Sequence, residues 1–233
     1  YSSAVVRHAQ LPDIRKQARL YRGNQFIQCS ASNSNPSNLA QMQRLSFNLT
    51  RFKVFSSMYL LYALYSISRT TFTYMAPALR LSLGFSLNDI GIVASMFPIA
   101  YGASKMLTGY FVDRRSPSAV LVSGLILSAW VNLFLAGSSN LYFIALFWAL
   151  NGIFQGAAAG ASARLLTTWF SAAHRGFWWA VWSTSSNVGG FISARSIQTM
   201  AHLHGWRMGL VRISVSVLMC AFLCVATMAD HPQ

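Results

Sequence analysis

The sequence predicts an all-α, polytopic membrane protein with six transmembrane helices. Three observations lead there. Charged residues make up 9% of the 233 residues and hydrophobic ones 54%, whereas an average soluble domain carries roughly 25% charged residues. Six apolar stretches succeed one another, each near the roughly 20 residues that cross a bilayer core as a helix. The charges are lopsided, 18 Lys+Arg against 4 Asp+Glu, and the basic residues gather in the N-terminal segment and at the ends of apolar stretches, as membrane topology requires. The same net charge of +14 could suggest nucleic acid, but no basic recognition motif accompanies it, and no nucleic-acid partner is expected.

Residues 1–45 differ from the remainder. Arg7, Arg15, Lys16, Arg19, Arg22 and Arg44 face one acid, Asp13, and Ser and Asn are frequent from Ser30 to Asn38. This segment is expected to be a disordered basic tail. An Arg-rich, Ser-rich, acid-poor N-terminus reads as an organelle transit peptide, and Ile27-Gln28-Cys29-Ser30-Ala31 resembles a plastid cleavage pattern. The alternative is a tail held near anionic lipid by its basic residues. The first residue is not Met, so the chain is expected to be incomplete at its start.

Residues 46–233 form the membrane part. The spans are Val54–Leu79, Asp89–Val112, Ser118–Gly137, Leu141–Trp169, Gly176–Met200 and Met208–Met228. Short links rich in Ser, Pro, Asn or Gly join them, which suits antiparallel neighbours. With the tail inside, inner loops hold Arg114, Arg115 and Arg175, while outer loops hold Arg80 and Arg207. Counting Arg44, Arg51 and Lys53 as well, the inside carries more positive charge. In the fourth span Gly152, Gly156 and Gly160 have the spacing that lets helices approach closely. Trp169 and Trp206 are expected at the membrane–water boundary.

A charge deep in a membrane helix costs about 2.5–3.5 kcal/mol or more, so it marks function by default. Arg164 and Arg195 lie near span ends, where they can snorkel. Arg69 and Lys105 lie deeper. Tyr62, Tyr65, Ser66, Arg69 and Thr73 form one stripe of the first span, and Tyr101, Lys105 and Thr108 do likewise in the second. No Asp or Glu occurs in the middle of any span. Two uncompensated cations beside a water-filled cavity suit an anion, because Arg offers a planar fork and Lys a mobile charge. The bland alternative pairs each cation with a buried carbonyl or an acid outside this sequence. Ser183-Thr184-Ser185-Ser186-Asn187 interrupts the fifth span. It suits contact with a polyol or interhelical hydrogen bonding.

No cofactor is expected, and no enzyme activity. The spans hold no paired carboxylates, metal cluster or Cys/His nucleophile arrangement. Cys220 and Cys224 read as packing thiols, and His202 with His204 is too isolated for a metal site.

The junction Gly109-Tyr110-Phe111-Val112-Asp113-Arg114-Arg115 resembles the loop between helices two and three of the major facilitator superfamily. Tyr65-Ser66-Ile67-Ser68-Arg69-Thr70-Thr71-Phe72 and Ile99-Ala100-Tyr101-Gly102-Ala103-Ser104-Lys105 resemble first- and second-helix signatures of its organophosphate:phosphate antiporters. Asn151-Gly152 with Gln155-Gly156, Trp169-Phe170 and Arg175-Gly176 are similar to the fourth-helix pattern. Trp178-Trp179-Ala180 through Asn187 resembles the fifth helix of glucose-6-phosphate translocases. The chain departs from the family at Thr70, at Ala158-Ala159-Gly160-Ala161 and, from bacterial members, at Ser186.

The resemblance implies the N-terminal bundle of a major facilitator fold. It also implies exchange of a hexose phosphate, glucose 6-phosphate or a related one, for inorganic phosphate by alternating access. It places Arg69 and Lys105 on the substrate, Tyr62 and Tyr101 along the cavity, and the motif of Gly109, Asp113 and Arg114 at a gate, while the polar stretches add Tyr65, Ser186 and Asn187 as substrate candidates. The transit-peptide reading makes a plastid inner envelope the expected setting, with another organelle membrane or the plasma membrane as the alternative, and the expected partners are the lipid bilayer and a second six-helix half outside this sequence. A membrane sensor of hexose phosphate is the alternative function.

Overall fold

The computed structural model describes residues 36–225 and 227–228. Five continuous helical elements run in chain order: α1 (Pro36–Leu83), α2 (Leu87–Arg114), α3 (Pro117–Gly137), α4 (Leu141–Trp169) and α5 (Ala172–Val225). Within α5, Gly205 has φ 79° and ψ 158°, a left-handed backbone that glycine adopts without steric cost. It divides α5 into two arms, 172–204 and Gly205–Val225, so the bundle contains the six helices expected. Four of them, Leu87–Gly109, Pro117–Gly137, Leu141–Trp169 and Gly205–Val225, are long and apolar enough to cross a membrane by composition alone. The first and fifth spans fall short because they carry polar stripes.

The described residues fall in two compact units, within Tyr1–Asn48 and Leu49–Gln233. Residues 36–45, expected to belong to a disordered tail, are helical. The physical reason is local: Pro36 stands at the first helical position, where its missing N–H costs nothing, and Leu39, Ala40, Gln41, Met42 and Arg44 are good helix formers. The basic segment 1–35 and its transit-peptide reading lie outside the described residues, as do the side chains of His202 and His204.

Turn chemistry sets the helix starts. Ser86 and Asp89 bond reciprocally, the Ser86 amide donating to Asp89 Oδ2 (2.9 Å) and the Asp89 amide to Ser86 Oγ (3.1 Å). Ser116 Oγ accepts from the Ala119 amide (3.1 Å), with Pro117 just inside α3. Asn140 Oδ1 accepts from the Tyr142 amide (2.9 Å). Each side chain satisfies a helix N–H that has no intrahelical partner.

Glycine and serine decide how closely the helices approach. A Cβ at Gly152 would lie 2.6 Å from the Phe97 carbonyl oxygen, and one at Gly156 would strike Ser104. α4 therefore packs against α2 with backbones nearly touching, and Ser104 Oγ donates to the Ile153 carbonyl (2.7 Å). Gly160 takes no part, since Val112 is 4.0 Å from its would-be Cβ. Between α1 and the first arm of α5, a Cβ at Gly189 would strike the Ala63 carbonyl. Hydroxyl bonds run along that contact: Tyr59 with Thr184 (2.9 Å), Ser66 Oγ to the Ser186 carbonyl (2.7 Å), and Thr70 with Ser193.

The two tryptophans expected at the membrane boundary lie at helix ends, Trp169 closing α4 and Trp206 beside the Gly205 turn, and both are buried against protein. Trp169 is 4% and Trp206 5% exposed. Trp206 Nε1 donates to Ser82 Oγ (2.9 Å), and the Arg207 guanidinium sits 4.6 Å from the Trp206 ring while donating to the Ala136 carbonyl (2.8 Å). Ser82 on α1 draws Trp206 inward, and the Ala136 carbonyl on α3 holds Arg207 beside it. Cys220 and Cys224 are free thiols, the second buried.

The Gly189 contact yields a paired test. Gly189→Ala is expected to destabilise the bundle by about 1–3 kcal/mol through overpacking against backbone. Gly190→Ala meets nothing within 4 Å and is expected to be neutral or slightly stabilising. Thermal unfolding of both variants in detergent checks this, with equal melting temperatures arguing against the close approach.

Candidate functional site

The cations of the first and second spans meet on one aromatic ring. Arg69 on α1 is half-buried, and its guanidinium carbon lies 4.8 Å from the Tyr101 ring centroid and 5.8 Å from that of Phe97. Lys105, one turn beyond Tyr101 and exposed, places Nζ 4.6 Å from the same Tyr101 ring. A cation over an aromatic face gains roughly 0.5–2 kcal/mol, enough to hold both side chains on α2 without neutralising either. Tyr62 joins them, its hydroxyl interacting with Arg69 and Tyr101. Its ring packs 4.4 Å from Trp182. Phe97 stacks on Tyr101 (5.7 Å, 13°) and leans on Trp148 (5.0 Å), so an aromatic column fixes the ring beneath the cations.

A buried polar cluster stands behind Arg69. Arg69 Nε donates to Gln155 Oε1 (3.3 Å). Gln155 Nε2 in turn donates to Asn151 Oδ1 (2.9 Å), Ser128 Oγ (3.1 Å) and Ser68 Oγ (3.3 Å). Asn132 Nδ2 donates to Ser68 Oγ (2.8 Å) and Asn151 Nδ2 to Asn132 Oδ1 (3.0 Å). Ser128 also donates to Asn151 Oδ1. All five residues behind the arginine are at most 1% exposed. A buried polar group costs free energy unless bonded, and here each bonds two or more neighbours. The cluster holds Gln155 in one orientation, and Gln155 orients the guanidinium through Nε.

The expected first-span stripe divides. Tyr62, Arg69 and Thr73 remain together on one face. Tyr65, expected in this group, stands apart: it is 0% exposed and its hydroxyl donates to the Leu121 carbonyl of α3 (2.7 Å). Its place one turn along put it in the stripe, but helix packing turned it inward against Gly124. Ser66 faces the first arm of α5. There Ser186 is occupied with Ser66, its carbonyl accepting and its hydroxyl 3.4 Å away. Asn187 is exposed. In the polar fifth-span stretch Thr184 and Ser186 bond α1, Ser183 and Ser185 donate to carbonyls of their own helix, and Asn187 is exposed.

At the Arg114 end, α2 runs to Arg114 and a short turn leads to α3. The Val112 carbonyl accepts from Arg164 Nη1 on α4, which gives this near-terminal arginine a backbone partner rather than a purely interfacial role. Gly109, Val112, Gly160, Ala163, Arg164 and Thr167 line a cavity of about 380 Å³. Arg175 closes the α4–α5 turn by donating to the Phe170 (3.0 Å) and Thr167 (2.9 Å) carbonyls. Arg114 is exposed, and the side chain of Asp113 lies outside the described residues. Among the described residues no cluster of His, Cys, Asp or Glu assembles to hold a metal ion.

Sequence inspection missed the supporting cluster. Its signal was present as amides and hydroxyls at helical spacing, Ser128 with Asn132 and Asn151 with Gln155. Gln155→Leu takes one hydrogen-bond partner each from Ser68, Ser128, Asn151 and Arg69, and a loss of about 1–3 kcal/mol is expected. Thermal unfolding measures it. An unchanged melting temperature would show that the cluster carries no stability.

The Major Facilitator Superfamily model matches residues 58–233. The chain is 34% identical over 193 residues to a probable hexose phosphate transport protein of Chlamydia trachomatis, covering 83% of this chain and 42% of that protein. It is 37% identical over 172 residues to the membrane sensor protein UhpC of Salmonella typhimurium (74% and 39%). It is 31% identical over 193 residues to the glycerol-3-phosphate transporter of Bacillus subtilis (81% and 43%). The chain thus spans less than half the length of these relatives. Among solved structures, a bacterial homologue of the human lysosomal transporter Spinster, inward-facing, superposes with a TM-score of 0.69 at 17% identity, over 78% of this chain and 44% of that one. This likeness shows the fold. The chain belongs to the major facilitator superfamily, as a multi-pass integral membrane bundle corresponding to the N-terminal half of that fold.

Proposed function

We propose that the whole protein exchanges a sugar phosphate, glucose 6-phosphate or a related hexose phosphate, for inorganic phosphate by alternating access. The observation that carries this is the pair Arg69 and Lys105 on one Tyr101 ring. The chain's acids are Asp13, Asp89, Asp113 and Asp230, so no carboxylate stands near mid-span to neutralise them. A phosphate dianion would. In the low dielectric of a transport cavity, the attraction of phosphate for two fixed cations far exceeds its value in water. Gln155 holds the guanidinium plane from behind, and an oriented planar fork suits two phosphate oxygens at once.

In this reading Tyr62 and Tyr101 contribute hydroxyls to phosphate or sugar oxygens. Ser186 and Asn187 line the fifth-span side, with the exposed Asn187 amide nearest a polyol. Gly109, Asp113 and Arg114 form a gate at the Arg114 end of the bundle. Similarity to hexose phosphate and glycerol-3-phosphate transporters supports organophosphate as the substrate class. The Arg-rich, acid-poor residues 1–35 support a plastid inner envelope as the location. Similarity to UhpC favours a second reading, a hexose-phosphate sensor that signals to a partner. The same cation pair serves both, because each must recognise the phosphate ester.

Counterflow separates the two. Full-length protein in phosphate-loaded liposomes is expected to take up labelled glucose 6-phosphate. Binding without counterflow would favour the sensor, and neither binding nor uptake of any organophosphate would sink both. Arg69→Ala is expected to abolish exchange. Arg69→Lys should lose at least about tenfold, because a point charge cannot reproduce the bidentate contact. Full activity in the Lys variant would exclude the fork.

A further inference from the structure

A second intramembrane cation lies far from Tyr101. Arg212 sits in the second arm of α5, seven residues beyond Gly205, about 10 Å along the helix at 1.5 Å per residue. It is exposed, and it makes no hydrogen bond or ion pair among the described residues. An unpaired arginine at that depth is costly and reaches toward phosphates to lower the cost.

Arg212 lines a groove of about 180 Å³ between α1 and both arms of α5. Its cation lies at the end near the Gly205 turn with Ile213 beside it, and Ser216 lies beside Val217 farther in. Arg212 is the lining residue nearest the Gly205 turn, and Ser196 on the facing arm lies at a similar level. Ser216 comes one turn deeper. Ile192 and Val217 are farthest from the turn, and Leu64, Ile67 and Ile213 complete the walls. Arg195, next to Ser196 and likewise exposed, adds positive charge at the same level.

We infer that this groove binds an anionic phospholipid. Arg212 holds the phosphodiester, Ser196 and Ser216 hydrogen-bond the glycerol oxygens, and the first methylenes of an acyl chain lie along Ile192 and Val217. Three features support this ligand together. Arg212 nearest the turn and Ile192 deepest match the direction in which a lipid enters a bilayer. Arg212, the one cation that lines the groove, matches one phosphodiester, and Arg195 at a similar level disfavours a lipid that carries its own ammonium. The groove opens on an exposed apolar surface, since Ile192 is 44% and Val215 44% exposed.

The test is native mass spectrometry of the full-length protein in mild detergent, titrated with phosphatidylglycerol, phosphatidylcholine or inorganic phosphate. A one-to-one phosphatidylglycerol complex is expected, at least about tenfold tighter than phosphatidylcholine, whose phosphodiester is already neutralised by its own choline cation, which Arg212 repels. Arg212→Leu should remove the preference and Arg212→Lys should keep most of it. Ser196→Leu, which fills the groove from the other arm, should weaken phosphatidylglycerol even if Arg212→Leu fails to fold. Equal binding of the two lipids would leave simple snorkelling and overturn the inference. So would unchanged binding in Ser196→Leu. Displacement of phosphatidylglycerol by millimolar inorganic phosphate would assign the groove to a free anion instead.

Discussion

Gln155 bonds four side chains from one fully buried position. Its amide reaches Ser68 on α1, Ser128 on α3 and Asn151 on its own helix, and its carbonyl takes Arg69. A bilayer interior offers no water to a polar group left over by packing, so such groups must find one another within the protein. That constraint shapes the bundle. The helices that supply the cluster meet at a common centre, and the arginine at its edge inherits a fixed orientation.

Close backbone approach brings together two helices of the cluster, α3 and α4, since a Cβ at Gly124 would lie 2.7 Å from the Phe154 carbonyl oxygen. Gly152 and Gly156 bring α4 against α2, and Gly189 brings the first arm of α5 against α1. In lipid, association gains little from hydrophobic burial, so van der Waals packing of small residues and interhelical hydrogen bonds carry it. The outcome is a rigid core behind a cationic face. Tyr101, stacked on Phe97, is held from below while Arg69 and Lys105 lie against its ring. A fixed site of this kind needs little reorganisation when an anion arrives, which suits recognition and then movement of the bundle as a body.

The relatives sharpen the meaning of such a face without choosing among its uses. Proteins named as a hexose phosphate transport protein and a membrane sensor align with this chain at similar identity. In the proposed reading Arg69, Lys105 and their supporting cluster recognise a phosphate ester, whichever use follows. This chain spans 42% and 39% of the length of those two proteins.

Hydrophobic runs, glycine spacing and the placement of Lys and Arg determined six helices, their order and the two deep cations. These are local or one-dimensional properties, legible because a bilayer imposes a fixed span length and penalises charge by depth. The helical run at 36–45 was also local, in its Pro36 start and its helix formers, but basic composition obscured it. Only the tertiary structure decided which face of each helix turned inward. It sent Tyr65 to the Leu121 carbonyl, Trp169 and Trp206 into the protein, and Ser186 to Ser66, and it drew Arg69 and Lys105 onto a single ring. Helical periodicity marks a stripe roughly a third of a turn wide. Choosing among side chains within that stripe requires the rotation of one helix against its neighbours, and that rotation is set by contacts between residues far apart in sequence.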